Sequence, residues 1–293
     1  MATAIATPHV ESVRTSRWTY LLGYLAAVIG AEAFIAFPGG ATVSDRPLQS
    51  IGLGIHILLV FPLMFLSVVI QSKDATLAPL LVAASLASLV RVFSLAVPRY
   101  NFLGLSPTSD FPIPETNPLN TIPWLALVSV PLLVSVAAVA YVQGLRPRDL
   151  GLAFRRWPEI VPQAAIALTG IPLGLVEFYI LRPPAWIGGL TFGSLVLAGV
   201  VIFFATGFSE ELIFRAILLK RAVEGLGPRG GLLYVTAIFA SLHIFFLNGV
   251  DLVFVFAVGL FYGIVVLKTR SLWGVILSHS LGNVILYLVA PFL

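Results

Sequence analysis

Five polar side chains that could together hydrolyse an amide bond lie in apolar stretches near the end of the chain. Glu210 and Glu211 stand in one apolar run, His243 in the next, and His279 and Asn283 in the last. At 1.5 Å per helical residue, they lie roughly 12–18 Å below the same predicted membrane boundary, the cytoplasmic one. Polar and ionisable groups are costly inside a bilayer, so five of them at one depth indicate a partner set or a function.

The residue types at this level suit hydrolysis. A carboxylate beside an imidazole can take a proton from water, and a second imidazole with an amide can donate to an oxyanion. Glu211 and Arg215 are i,i+4 neighbours that can pair, and His279 and Asn283 face the same way. The alternative is a satisfied polar core between helices. That interpretation is better for a single histidine, whereas five groups at matching depth favour a site.

Three short motifs contain these residues. Residues 207–215 read GFSEELIFR, residues 239–243 read FASLH, and residues 279–283 read HSLGN. In type, order and spacing they resemble the EExxxR, FxxxH and HxxxN motifs of the CAAX-processing and bacteriocin-processing intramembrane endopeptidases. The resemblance covers about 159–290, and the segment RDLGL at 148–152 is similar to the family's usual lead-in.

The resemblance implies a role for each residue. Glu210 and His243 would activate water, while His279 and Asn283 would form the oxyanion site. Glu211 would support them through its neighbour Arg215. The candidate catalytic residues are therefore Glu210, Glu211, His243, His279 and Asn283, with Arg215 and Phe239 supporting.

The sequence assures no cofactor. The family carries a metalloprotease label, although the resemblance implies a glutamate-dependent mechanism without bound metal. Glu210, His243 and His279 could hold zinc, but the chain has no HExxH motif. Since it also has no cysteine, disulfides, thiolate metal sites and a cysteine nucleophile are excluded.

The elements that must position these residues are membrane helices. The chain is 59% hydrophobic and 10% charged, whereas soluble domains carry about 25% charged residues. We expect an all-α, polytopic bundle of about nine transmembrane helices, with eight as the alternative. The runs are 18–37, 51–70, 75–97, 122–143, 159–181, 192–222, 231–247, 250–267 and 272–290.

Basic residues predict the orientation of these helices. With the N-terminus in the cytoplasm and nine alternating helices, twelve Lys and Arg residues fall in cytoplasmic segments. Only Arg46, Arg99 and Arg182 then fall outside, in the direction of the positive-inside rule. The net charge of +4 is explained by these loops, and no basic stripe predicts nucleic-acid binding. We divide the chain into an N-terminal transmembrane region, 1–121, and a protease-like core, 122–293.

A second group of polar residues lies nearer the outer ends of the runs. Glu32, His56, Arg91 and Glu177 form this group. They could line an ion or proton path, but a buried salt bridge of Arg91 with Glu32 or Glu177 is the favoured interpretation. Nothing in the sequence connects this level with the inner one.

The sequence therefore predicts an intramembrane endopeptidase that cleaves a membrane-associated protein or peptide, lipidated substrates included, near the cytoplasmic leaflet. A bacterial cytoplasmic membrane is the expected location. A transporter is the main alternative, although no internal repeat or pair of broken helices supports it. A catalytically silent immunity or scaffold protein of the same fold is another.

Overall fold

The computed structural model describes residues 8–37, 47–99, 118–153 and 160–293. Every regular element in these ranges is helical, which confirms the all-α prediction. The α-helices are α1 (Pro8–Ala36), α2 (Pro47–Ile70), α3 (Leu77–Arg99), α4 (Thr121–Val142), α5 (Ile160–Leu168), α6 (Gly170–Leu181), α7 (Phe192–Ile202), α8 (Ser209–Glu211), α9 (Leu219–Ser241), α10 (Gly249–Thr269) and α11 (Trp273–Val284). Three π-helical segments, Phe203–Phe208, Leu212–Leu218 and Ile285–Val289, and three 3₁₀ turns, Pro118–Asn120, Ile244–Phe246 and Ala290–Phe292, complete them.

Eight stretches of the described residues are long and apolar enough to cross a membrane. The predicted sixth and seventh runs both fall in one of them, Phe192–Phe246, which has 55 residues. A straight helix of that length would measure about 82 Å, far more than the ~30 Å hydrocarbon core. The stretch must therefore fold back on itself.

The reversal is at Gly227, inside α9. This residue has φ 78° and ψ 169°, a conformation that glycine adopts without the strain of a side chain. Pro228 follows and begins the second half of the helix, a position where its missing N–H is no loss. On either side of the break the backbones touch, because a Cβ on Gly231 would lie 2.6 Å from the Val223 nitrogen. Each of the nine predicted runs thus overlaps one of the eight stretches, and the sixth and seventh runs share one.

The outer surface of the bundle is apolar. On α2, the side chains of Leu58, Phe61, Phe65 and Val68 are each about two-thirds exposed or more. Such a face would be unfavourable in water and is expected where hydrocarbon surrounds the protein. The chain is an integral, multi-pass membrane protein.

Segments predicted to be cytoplasmic contact one another at one end of the bundle. Arg17 of α1 pairs with Asp74, which lies in the turn between α2 and α3. The Nη1 of Arg17 also donates to the Gly225 carbonyl at 3.1 Å. The Leu272 N–H likewise donates to the Gly151 carbonyl at 2.9 Å. These segments therefore share a face, while the assignment of that face to the cytoplasm stays a prediction. The loop 98–121 joins the third and fourth predicted runs and was predicted, with Arg99, to lie outside. It falls almost wholly beyond the described residues.

The hydrophobic core joins the two halves of the chain. Leu21 and Leu86 from the N-terminal region share one buried cluster with Ile213, Phe214 and Ile238. This core holds α1 and α3 against the segments that carry the motifs. A boundary between 1–121 and 122–293 stays a prediction.

Candidate active site

Glu210 and Glu211 lie on the single helical turn α8, between two π-helical segments. π-helical turns often occur at functional sites because the wider turn redirects side chains. Glu211 is fully buried, whereas the Glu210 side chain keeps 24% of its surface exposed. The two adjacent carboxylates therefore differ in access to solvent.

Helix α11 packs closely on the π-helical segment before α8 and on α6 because small residues lie at both contacts. A Cβ on Gly207 would lie 2.0 Å from the Ser280 hydroxyl, and one on Gly174 would lie 2.3 Å from the Gly282 carbonyl oxygen. Contacts this close are possible only without a side chain, and they are typical of helix packing in membranes. They bring His279 on α11 to the glutamates on α8.

Glu211 joins two motifs through one carboxylate oxygen. Its Oε1 accepts a hydrogen bond of 3.0 Å from Arg215 Nη1, so the predicted i,i+4 pair is present. The same oxygen lies 2.8 Å from His279 Nδ1. Because a carboxylate can only accept, the Nδ1 proton of His279 points at Glu211. Burial of Arg215 and Glu211 requires such pairing, since an isolated charge would be costly there.

The remaining nitrogen of His279 faces Glu210. Its Nε2 lies 3.9 Å from Glu210 Oε2, which is beyond hydrogen-bond length. The His279 side chain is 15% exposed. His279 and Glu210 are thus the accessible members of the group, and Glu211 is the buried member that orients His279.

Phe239 lies at the centre of the site. The Arg215 guanidinium stands 4.1 Å from the centroid of its ring, a cation–π distance. The His243 and His279 rings contact the same ring at centroid distances of 5.1 and 6.4 Å. The phenyl group therefore contacts both imidazoles and covers the arginine.

His243 lies at a helix end, whereas the sequence predicted it inside a helix over 231–247. The α-helix ends at Ser241, and His243 precedes the 3₁₀ turn Ile244–Phe246. Its Nδ1 lies 3.1 Å from the Phe239 carbonyl oxygen. A carbonyl accepts only, so the proton is on Nδ1 and Nε2 is left as an acceptor. Among the described residues, no hydrogen bond or ion pair joins His243 to either glutamate.

Asn283 lies one helical turn beyond His279 on α11. Its Nδ2 donates to Thr206 Oγ1 at 3.0 Å, which leaves the second amide proton available. Thr206 belongs to the π-helical segment before the glutamates, and the sequence analysis did not identify it. Its signal was its place four residues before Glu210 in an otherwise apolar run.

Asp251 is a second residue that the sequence analysis missed. It is fully buried in the first turn of α10, and neither carboxylate oxygen has a hydrogen-bond partner. Glu177 interacts electrostatically with Asp251, His279 and Glu210. Its place among the outer residues stays a prediction. A lone acidic residue in the run 250–267 was the available signal for Asp251.

The other three outer residues form one cluster, as predicted. Arg91 Nε and Nη2 donate to the two Glu32 oxygens at 2.7 and 2.9 Å. His56 Nε2 lies 3.2 Å from Glu32 Oε1. Arg91 Nη2 also donates to the carbonyl of Leu242, the residue before His243. The expectation that nothing connects the two levels was wrong, because a backbone carbonyl connects them.

The site does not fit a preformed metal centre. Across the part of the chain that the structure describes, no three His, Asp or Glu side chains are grouped to hold an ion. The bond from His279 Nδ1 to Glu211 leaves Nε2 and the Glu210 carboxylate as two potential ligands. His243, the third predicted ligand, is not grouped with them among the described residues. The metalloprotease label that came with the resemblance finds no support here.

The comparison with known families covers the part of the chain that builds this site. No curated protein and no solved structure matches the chain. Residues 192–285, about a third of the chain, match the family model described as Rce1-like, Type II CAAX prenyl endopeptidase Rce1-like. The match begins at the first residue of α7 and contains all three motifs. The family resemblance predicted from those motifs is therefore confirmed over residues 192–285.

Proposed function

We propose that this protein is an intramembrane endopeptidase that hydrolyses a peptide bond of a membrane-associated protein or peptide. The observation that carries the proposal is the hydrogen bond from His279 to the buried Glu211, which turns the other nitrogen of His279 toward the accessible Glu210. A merely satisfied polar core would not leave an accessible carboxylate and imidazole facing each other 3.9 Å apart.

Glu210 is the proposed general base. Its exposed carboxylate takes a proton from water as the water oxygen bonds to the carbonyl carbon of the substrate. His243 assists through Nε2, the nitrogen that the Phe239 carbonyl leaves free. The electron pair of the carbonyl double bond moves to its oxygen and forms a tetrahedral oxyanion.

His279 and Asn283 are the proposed donors to that oxyanion. With a proton on each ring nitrogen, His279 keeps its bond to Glu211 and donates through Nε2. Asn283 donates the amide proton that Thr206 does not use. Preorganised donors of this kind stabilise the transition state because they need not reorient as charge develops. Collapse of the tetrahedral oxyanion then breaks the C–N bond, and Glu210 returns its proton to the leaving amine.

Glu211 and Arg215 are proposed as positioning residues. Both are almost completely buried, so neither reaches a substrate directly. Their pair fixes the direction of the His279 ring, and Phe239 covers the arginine. The family match and the membrane-spanning helices support a membrane protein or peptide as the proposed substrate, with lipidated substrates included. Cleavage is proposed near the cytoplasmic leaflet.

Comparative labelling of protein termini in membranes tests the proposal. Cells that produce wild type are compared with cells that produce Glu210→Ala, with Glu224→Gln as a matched control. Glu224 is a partly exposed glutamate that pairs with Lys220 and Arg221 away from the site. New termini should occur with wild type and the control, and be absent with Glu210→Ala. Identical termini in all three would contradict the proposal, and solute flux in liposomes would then favour a transporter.

A further inference from the structure

The turn that carries His243 needs a hydrogen-bond donor from outside its own helix. The second half of α9, residues 228–241, is about 21 Å long, shorter than the ~30 Å hydrocarbon core. The last carbonyls of a helix lack partners within it, and an unsatisfied carbonyl is costly where water is scarce. Leu242 is buried at this end, so its carbonyl must be satisfied by another part of the protein.

Arg91 of α3 supplies that donor. Its Nη2 lies 2.5 Å from the Leu242 carbonyl oxygen. A cation at a helix C-terminus also interacts favourably with the helix dipole. Arg91 is therefore a cap for the helix that ends beside His243, contributed by the N-terminal region of the chain.

Arg91 is itself held in one orientation. Glu32 of α1 accepts two hydrogen bonds from its guanidinium, which is the most restrictive geometry for such a pair. His56 of α2 contacts the same carboxylate, and the side chains of Glu32 and His56 are fully buried. One residue from each of the first three helices thus determines where the capping nitrogen lies.

Apolar contacts hold the same turn. The Arg91 guanidinium stands 5.6 Å from the centroid of the Phe245 ring. Phe245 packs against a small cluster of buried residues from α1, α2 and α3, namely Ile35, Leu53 and Leu95. The turn after His243 is therefore fixed by both polar and apolar contacts to the N-terminal helices.

We infer that the Glu32–His56–Arg91 cluster is a positioning device for His243. The imidazole is oriented by its own Nδ1 bond to the Phe239 carbonyl, and the backbone that carries it is held by the bond from Arg91 to the Leu242 carbonyl. The inference rests on the proposed function for its catalytic consequence. It assigns to the first three helices a task that the motifs in residues 192–285 do not contain.

Nuclear magnetic resonance of the histidine rings tests the positioning without an assay of cleavage. The chain has four histidines, so ¹⁵N-histidine labelling gives a small spectrum, and His243→Asn assigns one of its signals. Arg91→Gln should shift or broaden the His243 signals and leave those of His279 in place. The double variant Glu32→Gln/Arg91→Gln removes both charges and serves if the single variant does not fold.

Arg17→Gln is the matched control. Arg17 also pairs with a carboxylate and donates to a backbone carbonyl, but that carbonyl belongs to Gly225, in the first half of α9 before the break at Gly227. It should leave the His243 signals unchanged. On a confirmed substrate, Arg91→Gln should lower kcat on the order of 10- to 100-fold with KM little changed, because misplacement of a catalytic group costs that much.

Two outcomes separate this inference from the proposed function. If Arg91→Gln lowers thermal stability while the His243 signals of the folded protein stay as in wild type, the cluster is only a structural lock and the inference fails. If the His243 signals move but wild type cleaves nothing, the positioning holds and the endopeptidase proposal fails.

Discussion

Two buried glutamates in this protein have the same kinds of partner. Glu32 contacts Arg91 and His56, and Glu211 contacts Arg215 and His279. Both carboxylate side chains have no exposed surface. Composition and burial therefore do not distinguish the outer cluster from the candidate active site.

The two groups differ in how many oxygens of the buried carboxylate accept a hydrogen bond. Both Glu32 oxygens accept hydrogen bonds from Arg91. In Glu211, Oε1 accepts from Arg215 and His279, while Oε2 has no hydrogen-bond partner. A buried carboxylate oxygen without a partner costs free energy. Each group also holds an unpartnered nitrogen, His56 Nδ1 in the first and Arg215 Nη2 in the second, so the groups differ in the carboxylate alone.

They differ also in what the histidine faces. The His56 side chain is fully buried against Glu32. His279 is partly exposed and turns its second nitrogen toward another carboxylate, that of Glu210. A Glu–Arg–His set becomes a candidate for catalysis when an accessible second carboxylate is added to it. Without one, the same set connects helices.

The largest effect is expected from removing that second carboxylate. Glu210→Gln keeps size and polarity but abolishes the general base, so cleavage of a confirmed substrate should fall about 10²–10⁴-fold. Thermal stability should change little, because Glu210 is partly exposed and lies 3.9 Å from its nearest ionic partner. Wild-type turnover in Glu210→Gln would remove the mechanism.

A smaller loss is expected from the oxyanion site. Asn283→Ala removes one donor and should lower kcat about 10²–10³-fold. Thr206→Val is the companion variant, because it deletes only the hydroxyl that accepts from Asn283. Its loss should be clearly smaller, since Asn283 keeps both protons. Equal losses in the two variants would mean that the pair, and not a free amide proton, matters.

The two buried glutamates can be compared directly by the same substitution. Glu211→Gln and Glu32→Gln each leave a buried arginine unpaired, and breaking such a pair typically costs about 3–5 kcal/mol. Both should lower the unfolding midpoint in detergent. Only Glu211→Gln should also change the signals of His279, because its carboxylate holds that ring directly. If Glu32→Gln moved His279 as strongly, the two groups would not be separate.

Much of the candidate site was predictable because it depends on local spacing. Glu211 and Arg215 are one helical turn apart in the sequence, and they pair. The charge of Arg91, within a membrane-spanning run, required a partner at its own depth, and Glu32 is that partner. Helix periodicity and the cost of buried charge are both readable from a single sequence.

The predictions that were wrong depend on where a helix ends and on which other helices it contacts. The run 231–247 has no residue that would stop a helix at Ser241, so His243 was predicted inside it. The capping of Leu242 by Arg91, 151 residues away in sequence, follows only from the packing of α1 and α3 on that turn.

The smallest effect is expected from a third charged pair, at the membrane face, which serves as the reference for the other two. Asp74 accepts hydrogen bonds from Arg17, from the Thr76 hydroxyl at 2.9 Å and from the Leu77 N–H at 3.0 Å. Burial alone would raise the pKa of the Asp74 carboxyl, but the bonds from Leu77, Arg17 and Thr76 hold it below its usual value. A carboxyl whose pKa is lowered by folding stabilises the protein above its unfolded pKa of about 3.9. That contribution is lost as the pH falls through the lower folded value.

Asp74→Asn should therefore lower the free energy of unfolding at pH 7 by roughly 1 kcal/mol, as for a partly exposed pair. The unfolding midpoint should fall slightly, with no change in cleavage. The difference from wild type should persist at pH 5 and narrow below about pH 4. A difference that grew on acidification would show that Asp74 is stabilised in its neutral form, which would reverse the assignment made from its hydrogen bonds.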